Sequence, residues 1–227
     1  MYPFTHRAIM ARRNKVRWGI VVEQLTVLYQ NLKRRYGEFH WWNDENPIKD
    51  LVSMILIQQT TEANAKRALE QLEGRLTIHS LLEMPVEDLQ ECIRPAGFFK
   101  QKSLYIRSVV EWANQFDGDF SRLDRVETAV LRKELLSLKG VGNETADVIL
   151  LYLCRRSVFV ADQYALRLFN RLGLSQSQDY LSLRQEFTEQ IKDWSVKDAQ
   201  ELHALIDEHG KQFRLTKGQL DESWLMI

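Results

Sequence analysis

Two stretches of this 227-residue chain carry residue types that could do chemistry, and they lie close together. The first, Leu138-Lys139-Gly140-Val141-Gly142-Asn143-Glu144-Thr145, puts two glycines in one tight turn with a valine between them. Such a turn aims successive backbone N–H groups outward at the positive end of the following helix, an arrangement that suits a phosphate. Lys139 could add a point charge. The same residues would equally make an ordinary αα-hairpin with a glycine turn. The second stretch, Val158-Phe159-Val160-Ala161-Asp162, ends four apolar residues on a carboxylate, just ahead of the amphipathic segment 163–171. An aspartate there serves either as a helix N-cap or as a reactive carboxylate held near the turn. Glu144 is out of character, because a phosphate grip would welcome a lysine two residues past the second glycine.

The elements that must position these groups read as helices. Residues 16–35 place Val16, Ile20, Leu25, Leu28 and Leu32 mostly three to five apart, the spacing of one helical face. Asn46-Pro47 opens the next helix, with proline in its first turn. Its apolar residues Leu51, Ile55 and Leu56 give way to Gln58-Gln59-Thr60-Thr61, and a second helix follows with Ala63, Ala65, Ala68, Leu69 and Leu72. Further helices are predicted at 78–83, 86–93, 101–115, 127–137, 144–154, 163–171, 180–192 and 196–208, separated by Pro- and Gly-bearing turns. The hairpin helices present Leu131, Leu135, Leu136 and Leu138 on one side and Ala146, Ile149, Leu150 and Leu153 on the other. The single strand-like run, 158–161, is too short to make a sheet, so the expected class is all-α.

Composition narrows the function classes. Hydrophobic residues are 44% of the chain, with 10 Gly and 4 Pro, which fits a globular protein without low-complexity tracts. Formal net charge is zero, but residues 1–40 hold 8 Lys/Arg against 2 Asp/Glu, while the rest holds 23 against 29. That basic arm is either an electrostatic footprint for a polyanion or a solvated helical face. Cys92 and Cys154 stand far apart with no Cys/His ligand spacing, so disulfide, zinc and iron–sulfur sites are not expected and the metal prediction is none. The five histidines carry no motif, and His203 and His209, six apart, point to different faces of a helix. The amino terminus lacks the apolar run of a signal peptide and no apolar stretch can span a bilayer. A cytoplasmic address, nucleoid-associated in a bacterium, with no membrane partner is therefore expected.

Taken in order, the motifs resemble those of the helix-hairpin-helix (HhH-GPD) DNA glycosylase superfamily, the group that includes endonuclease III. LLSLKGVGNETADVILLYL (135–153) is similar to the family hairpin, and VFVADQYALRLFNRLG (158–173) to the segment bearing its catalytic aspartate. NPIKDLVSMILIQQTTEANAKRAL (46–69) resembles its first barrel helices, IRPAGFFKQKSLYI (93–106) its glycine-aromatic segment, and LHALIDEHGK (202–211) its late helix. The resemblance implies two helical domains flanking a DNA-binding cleft. One would be a six-helix barrel over 40–154 ending in the hairpin, the other a discontinuous helical domain from 1–39 and 155–227. It further implies a monomer acting on double-stranded DNA with a damaged base. Asp162 would be the catalytic carboxylate and Gln58 the wedge that enters the duplex. Lys139, Gly140, Val141, Gly142, Asn143 and Thr145 would hold DNA phosphate.

The departures from the family pattern sharpen the expectation. Bifunctional members read GVGxKT in the hairpin and use that lysine to form a Schiff base; here Glu144 takes its place, and a carboxylate cannot form an imine. Laying on the family's cysteine spacing puts Arg214, Asp221 and Trp224 at iron–sulfur ligand positions, so no cofactor is expected. GVGxE, Asp-x-Tyr and the paired Trp41-Trp42 together resemble the 3-methyladenine DNA glycosylase III branch. Here Asn43 stands where that branch has proline after its two tryptophans, and Glu62 where it has an aromatic residue. Trp41, Trp42 and Glu62 are thus the base-pocket candidates, the tryptophans having core packing as their alternative role. The expected activity is monofunctional base excision on an alkylated base, which leaves already charged and needs no general acid. The alternatives are a glycosylase for an oxidised, deaminated or mismatched base, a non-catalytic DNA-binding protein, or a helical protein–protein module.

Overall fold

The computed structural model describes residues 23–39 and 46–226. Among them are eleven α-helices, three short 3₁₀ turns and no strand, so the chain is all-α. Two compact units emerge, Trp41–Val160 with Trp194–Val196, and Met1–His40 with Ala161–Asp193 and Lys197–Ile227.

In the unit built on Trp41–Val160, α2 (Pro47–Leu56) starts where Asn46 Oδ1 accepts from the N–H groups of Ile48 and Lys49, with Pro47 in the first turn. Thr61 and Thr77 cap α3 (Glu62–Gln71) and α4 (Ile78–Glu83) in the same way. After α5 (Val86–Ile93) a 3₁₀ turn at Arg94–Ala96 leads into α6 (Phe99–Asn114), against which α2, α4 and α5 pack. Trp112, Phe116 and Phe120 meet edge to face with centroids 5.0–5.9 Å apart, and Trp112 Nε1 donates to Glu134. Then come α7 (Thr128–Ser137) and α8 (Asn143–Tyr152), with α8 also against α2. Leu131, Leu135, Ala146, Ile149 and Leu150 are buried as the spacing predicts, whereas Leu136 is exposed.

One buried cation organises this unit. Lys102, 2% exposed on α6, donates to Leu56 O at the end of α2 (2.7 Å) and to Ala96 O in the 3₁₀ turn (2.9 Å). Those carbonyls lack helical partners of their own, and the ammonium satisfies one from each element. Burial pulls the Lys102 amine down to about 8.

In the other unit, residues 23–36 are helical (α1) and bury Leu25, Leu28 and Leu32. It also holds α9 (Gln163–Arg171) and α10 (Tyr180–Thr188), joined by an edge-to-face Phe169–Phe187 contact, and most of α11 (Val196–Leu215). From α1, Tyr29 reaches Asp198 and Glu201 on α11, and Lys33 pairs with Glu201 at 2.8 Å. A last 3₁₀ turn, Ser223–Met226, is tied back through Glu222, which accepts from Arg171 (2.6 Å) and meets His209 Nε2 (2.8 Å). Burial pushes the Glu222 carboxyl up, but Arg171 and His209 outweigh it and hold the group below its usual range. Tyr36 closes the group with its hydroxyl on His209 Nδ1 and its ring edge-on to Trp224.

The 158–161 run, too short for a sheet, is neither helix nor strand but a buried connection, each residue 1–3% exposed. Two helix ends differ by several residues from the sequence reading. The tenth helix stops at Thr188 because Gln190 and Ile191 both turn back to Phe187 O. The eleventh runs on to Leu215, through Gly210.

Lys102→Met would leave both carbonyls without their donor, at about 2–4 kcal/mol of stability given roughly 1–3 kcal/mol per unsatisfied buried group. The amine lies lower folded than unfolded, where it is near 10.5, so between about 8 and 10.5 the unfolded chain holds more protons. The stability gap between wild type and Lys102→Met, read by denaturant titration, should therefore widen as pH rises through that window. A gap that narrows would refute the buried ammonium.

Candidate active site

The hairpin is built from α7, its turn and α8. Gly140 has φ +84°, a left-handed backbone, and an added Cβ would sit 2.0 Å from Cγ of the Tyr105 ring. Glycine is demanded there twice over. Val141 is 7% exposed and plugs the corner. Gly142 differs: its φ is −89°, and a Cβ there would meet nothing within 4 Å. Neither its backbone conformation nor its neighbours require glycine at that position. The N–H groups of Asn143, Glu144 and Thr145 open α8 and have no earlier carbonyl within the helix. Arg132 locks the two helices, with Nε and Nη2 each 3.0 Å from the fully buried Asp147 carboxylate and Nη2 also donating to Asn143 Oδ1. Lys139 and Glu144 are exposed on either side of the turn.

The two glutamines after α2 have different positions. Gln58 is half-buried and its Nε2 donates to Gly140 O and to Thr145 Oγ1, both at 3.1 Å, so its amide braces the hairpin. Gln59 is exposed and held at φ +52°. Phe98, just past the other turn that Lys102 holds, is 59% exposed at φ +47°. A left-handed backbone is costly for both residue types, and an exposed phenylalanine gains nothing from the fold for it. Neither residue was singled out in the sequence, because a strained backbone leaves no mark in residue spacing. Glu62 is exposed in the first turn of α3, and Trp41 and Trp42 lie outside the described residues.

In the other unit, Asp162 is the N-cap of α9 and 8% exposed. Its Oδ1 accepts from Ala165 N–H at 2.7 Å, which fixes the carboxylate's orientation, and its Oδ2 faces His203 Nε2 at 3.8 Å. The cap and the reactive carboxylate were alternatives in the sequence; one side chain can be both, using one oxygen for each. Burial, with Lys211 adding to it, pushes His203 down to about 4, so the imidazole beside Asp162 is neutral. Nothing in the sequence marks His203, since its contact with Asp162 crosses from α9 to α11 and no local spacing announces it.

The HhH-GPD profile, described as a superfamily of base excision DNA repair proteins, matches residues 52–193. A DNA repair glycosylase of Methanocaldococcus jannaschii, MJ1434, is 36% identical over 205 residues, covering 88% of this chain and 92% of that protein. The chain belongs to the HhH-GPD superfamily. This makes it a base excision repair DNA glycosylase in the broad sense, a hydrolase acting on N-glycosyl bonds. Endonuclease III of Sulfolobus acidocaldarius is 29% identical over 197 residues, covering 82% of this chain and 85% of that protein. The HhH-GPD fold itself recurs in a crystal structure of Helicobacter pylori 3-methyladenine DNA glycosylase (MagIII) bound to 1,N6-ethenoadenine. That likeness has a TM-score of 0.66 and 24% identity, covering 88% of this chain and 99% of that one.

The two hairpin glycines should separate cleanly in stability. Gly140→Ala combines a left-handed alanine, about 1–2 kcal/mol, with overpacking on Tyr105, about 1–3 kcal/mol. It should lower the thermal midpoint sharply, while Gly142→Ala should leave it level or slightly higher. Equal losses for both would show that Gly142 is structural after all.

Proposed function

We propose that this glycosylase is monofunctional: it hydrolyses the N-glycosidic bond of a damaged base in duplex DNA and leaves the strand uncut. We further propose an alkylated base of the 3-methyladenine kind as its substrate class. The observation that carries the reading is the seating of Asp162, a nearly buried carboxylate with one oxygen anchored and the other turned to a neutral imidazole. The damaged base must first leave the stack, at a cost of about a few kcal/mol. Asp162 then stabilises the oxocarbenium-like sugar as the base departs and takes the proton of the attacking water. His203 is neutral over the working pH range, so it is a poor general acid for the departing base. A base that already carries positive charge leaves without one.

The hairpin's share is phosphate binding at Gly142 and the start of α8, with Lys139 beside it. Gln58 braces that turn, so we assign entry into the duplex to Gln59 and to Phe98, an apolar wedge of the sort that parts base steps. The monofunctional reading rests on Glu144, which is exposed where a bifunctional member would offer its amine. We infer that no iron–sulfur cluster takes part. The segment after α11 contains no thiolate, Trp224 Nε1 is donating to Asp221 O, and Glu222 is engaged with Arg171 and His209. That donor set does not fit a cluster. Cys154 belongs to the other unit, and burial pushes its thiol up to about 12.

A panel of duplexes, each with one alkylated, oxidised, deaminated or mismatched base, scored for abasic sites, tests the substrate class. Alkylated purines should be released fastest, and release confined to an oxidised or deaminated base would overturn that assignment. Asp162→Asn should retain duplex affinity while slowing excision by about 10²–10⁴-fold; excision at the wild-type rate would sink the mechanism. Borohydride trapping on the best substrate should give no covalent enzyme–DNA adduct. An adduct would mean that another amine performs lyase chemistry.

A further inference from the structure

We propose that His203 is a positioning residue that, together with Asp162, seats the attacking water. The proposal rests on the reading of Asp162 given above. The separation of His203 Nε2 from Asp162 Oδ2, 3.8 Å, is too long for a direct hydrogen bond and short enough for one shared water at ordinary lengths. The orientation of both groups is set elsewhere. Asp162 Oδ1 is fixed by Ala165 N–H, so the second oxygen cannot turn away from α11 without breaking the cap of α9. On α11, His203 and Gly210 are seven residues apart and share a face. Gly210 lies so close under the Tyr164 ring that an added Cβ would fall 2.2 Å from Cδ1. The start of α9 is therefore pressed to α11 at both places, with His203 opposite Asp162 and Gly210 beneath Tyr164.

The charge state suits the task. Asp207 and Lys211 follow His203 at one-turn intervals on α11 and pair with each other at 2.7 Å. Burial and Lys211 together keep the imidazole unprotonated. An imidazolium this close would neutralise the carboxylate that the developing sugar cation needs, whereas a neutral ring leaves its negative charge in place. In the reaction the C1′–N bond breaks and its electron pair leaves with the base. The water oxygen bonds to C1′, one water proton passes to Asp162 Oδ2, and His203 gains and loses none.

The test is single-turnover excision at saturating enzyme on whichever duplex the wild type cleaves fastest, with affinity measured on a duplex carrying a stable abasic analogue. His203→Ala should slow excision by about 10- to 100-fold, the scale of a mispositioned reactant. Affinity should stay within about twofold and the thermal midpoint should not move, because a positioning role acts on the chemical step and not on duplex binding. His203→Gln, whose side-chain amide can also hold a water, should recover most of the lost rate. An Ala variant at the wild-type rate would overturn the proposal, and so would a parallel fall in rate, affinity and midpoint with Gln no better than Ala. Asp162→Asn run alongside separates the two ideas. If it is inactive while His203→Ala is unimpaired, only the role of His203 is lost. If it excises normally, both fall.

Discussion

The interaction on which the rest of the Trp41–Val160 unit depends is the burial of Lys102. An ammonium out of water is costly, and here no carboxylate is among its hydrogen-bond acceptors; both are main-chain carbonyls. The gain is geometric. One side chain from α6 closes the end of α2 and the 3₁₀ turn before Phe98 together, which fixes where the chain turns after each. Gln58, two residues past Leu56, then reaches Gly140 O and Thr145 Oγ1 and passes that constraint to the hairpin. A neutral amine would still offer two N–H donors for the two carbonyls. The link therefore survives the lowered Lys102 value.

The hairpin shows why two similar glycines need different explanations. Gly140 serves the fold: its backbone is left-handed, and the Tyr105 ring occupies the space of a side chain. Gly142 sits in an extended conformation open to any residue, with empty space around it. The Arg132–Asp147 pair holds α7 and α8 in register through two parallel hydrogen bonds, the geometry a guanidinium and a carboxylate adopt best. Arg132 also fixes the Asn143 side chain, so the first turn of α8 is pre-ordered before any ligand arrives.

Much of this was legible in the sequence wherever the signal is local. Periodicity and the Pro- and Gly-bearing turns located the helices, since each of these signals acts over a few neighbouring residues. The glycine turn and the Asp162 cap were legible for the same reason. What escaped is long-range. Lys102 reaches back 46 residues to Leu56, and Tyr29 pairs with Glu201 across 172. Adjacent glutamines look alike in a sequence, yet the turn after α2 directs Gln58 to the hairpin and leaves Gln59 exposed in a left-handed conformation. His203 acquires its meaning only when α11 lies against the start of α9.

Glu144 can be understood through the same electrostatics. It lies in the first turn of α8, where the helix dipole is positive and a carboxylate is favoured by about 0.3–1 kcal/mol. A lysine there would meet that dipole unfavourably, so a member that needs the amine for lyase chemistry places it against a local cost. A member that needs only hydrolysis has no reason to bear that cost. Glu144 thus stabilises the helix start, and on the proposed monofunctional reading it leaves phosphate binding to the backbone N–H groups and offers no amine. In the proposed reaction the charge comes from Asp162, which the neutral His203 faces. On the proposed reading, the hairpin's helix start and the anchored Asp162 carboxylate serve one chemical event, loss of the base.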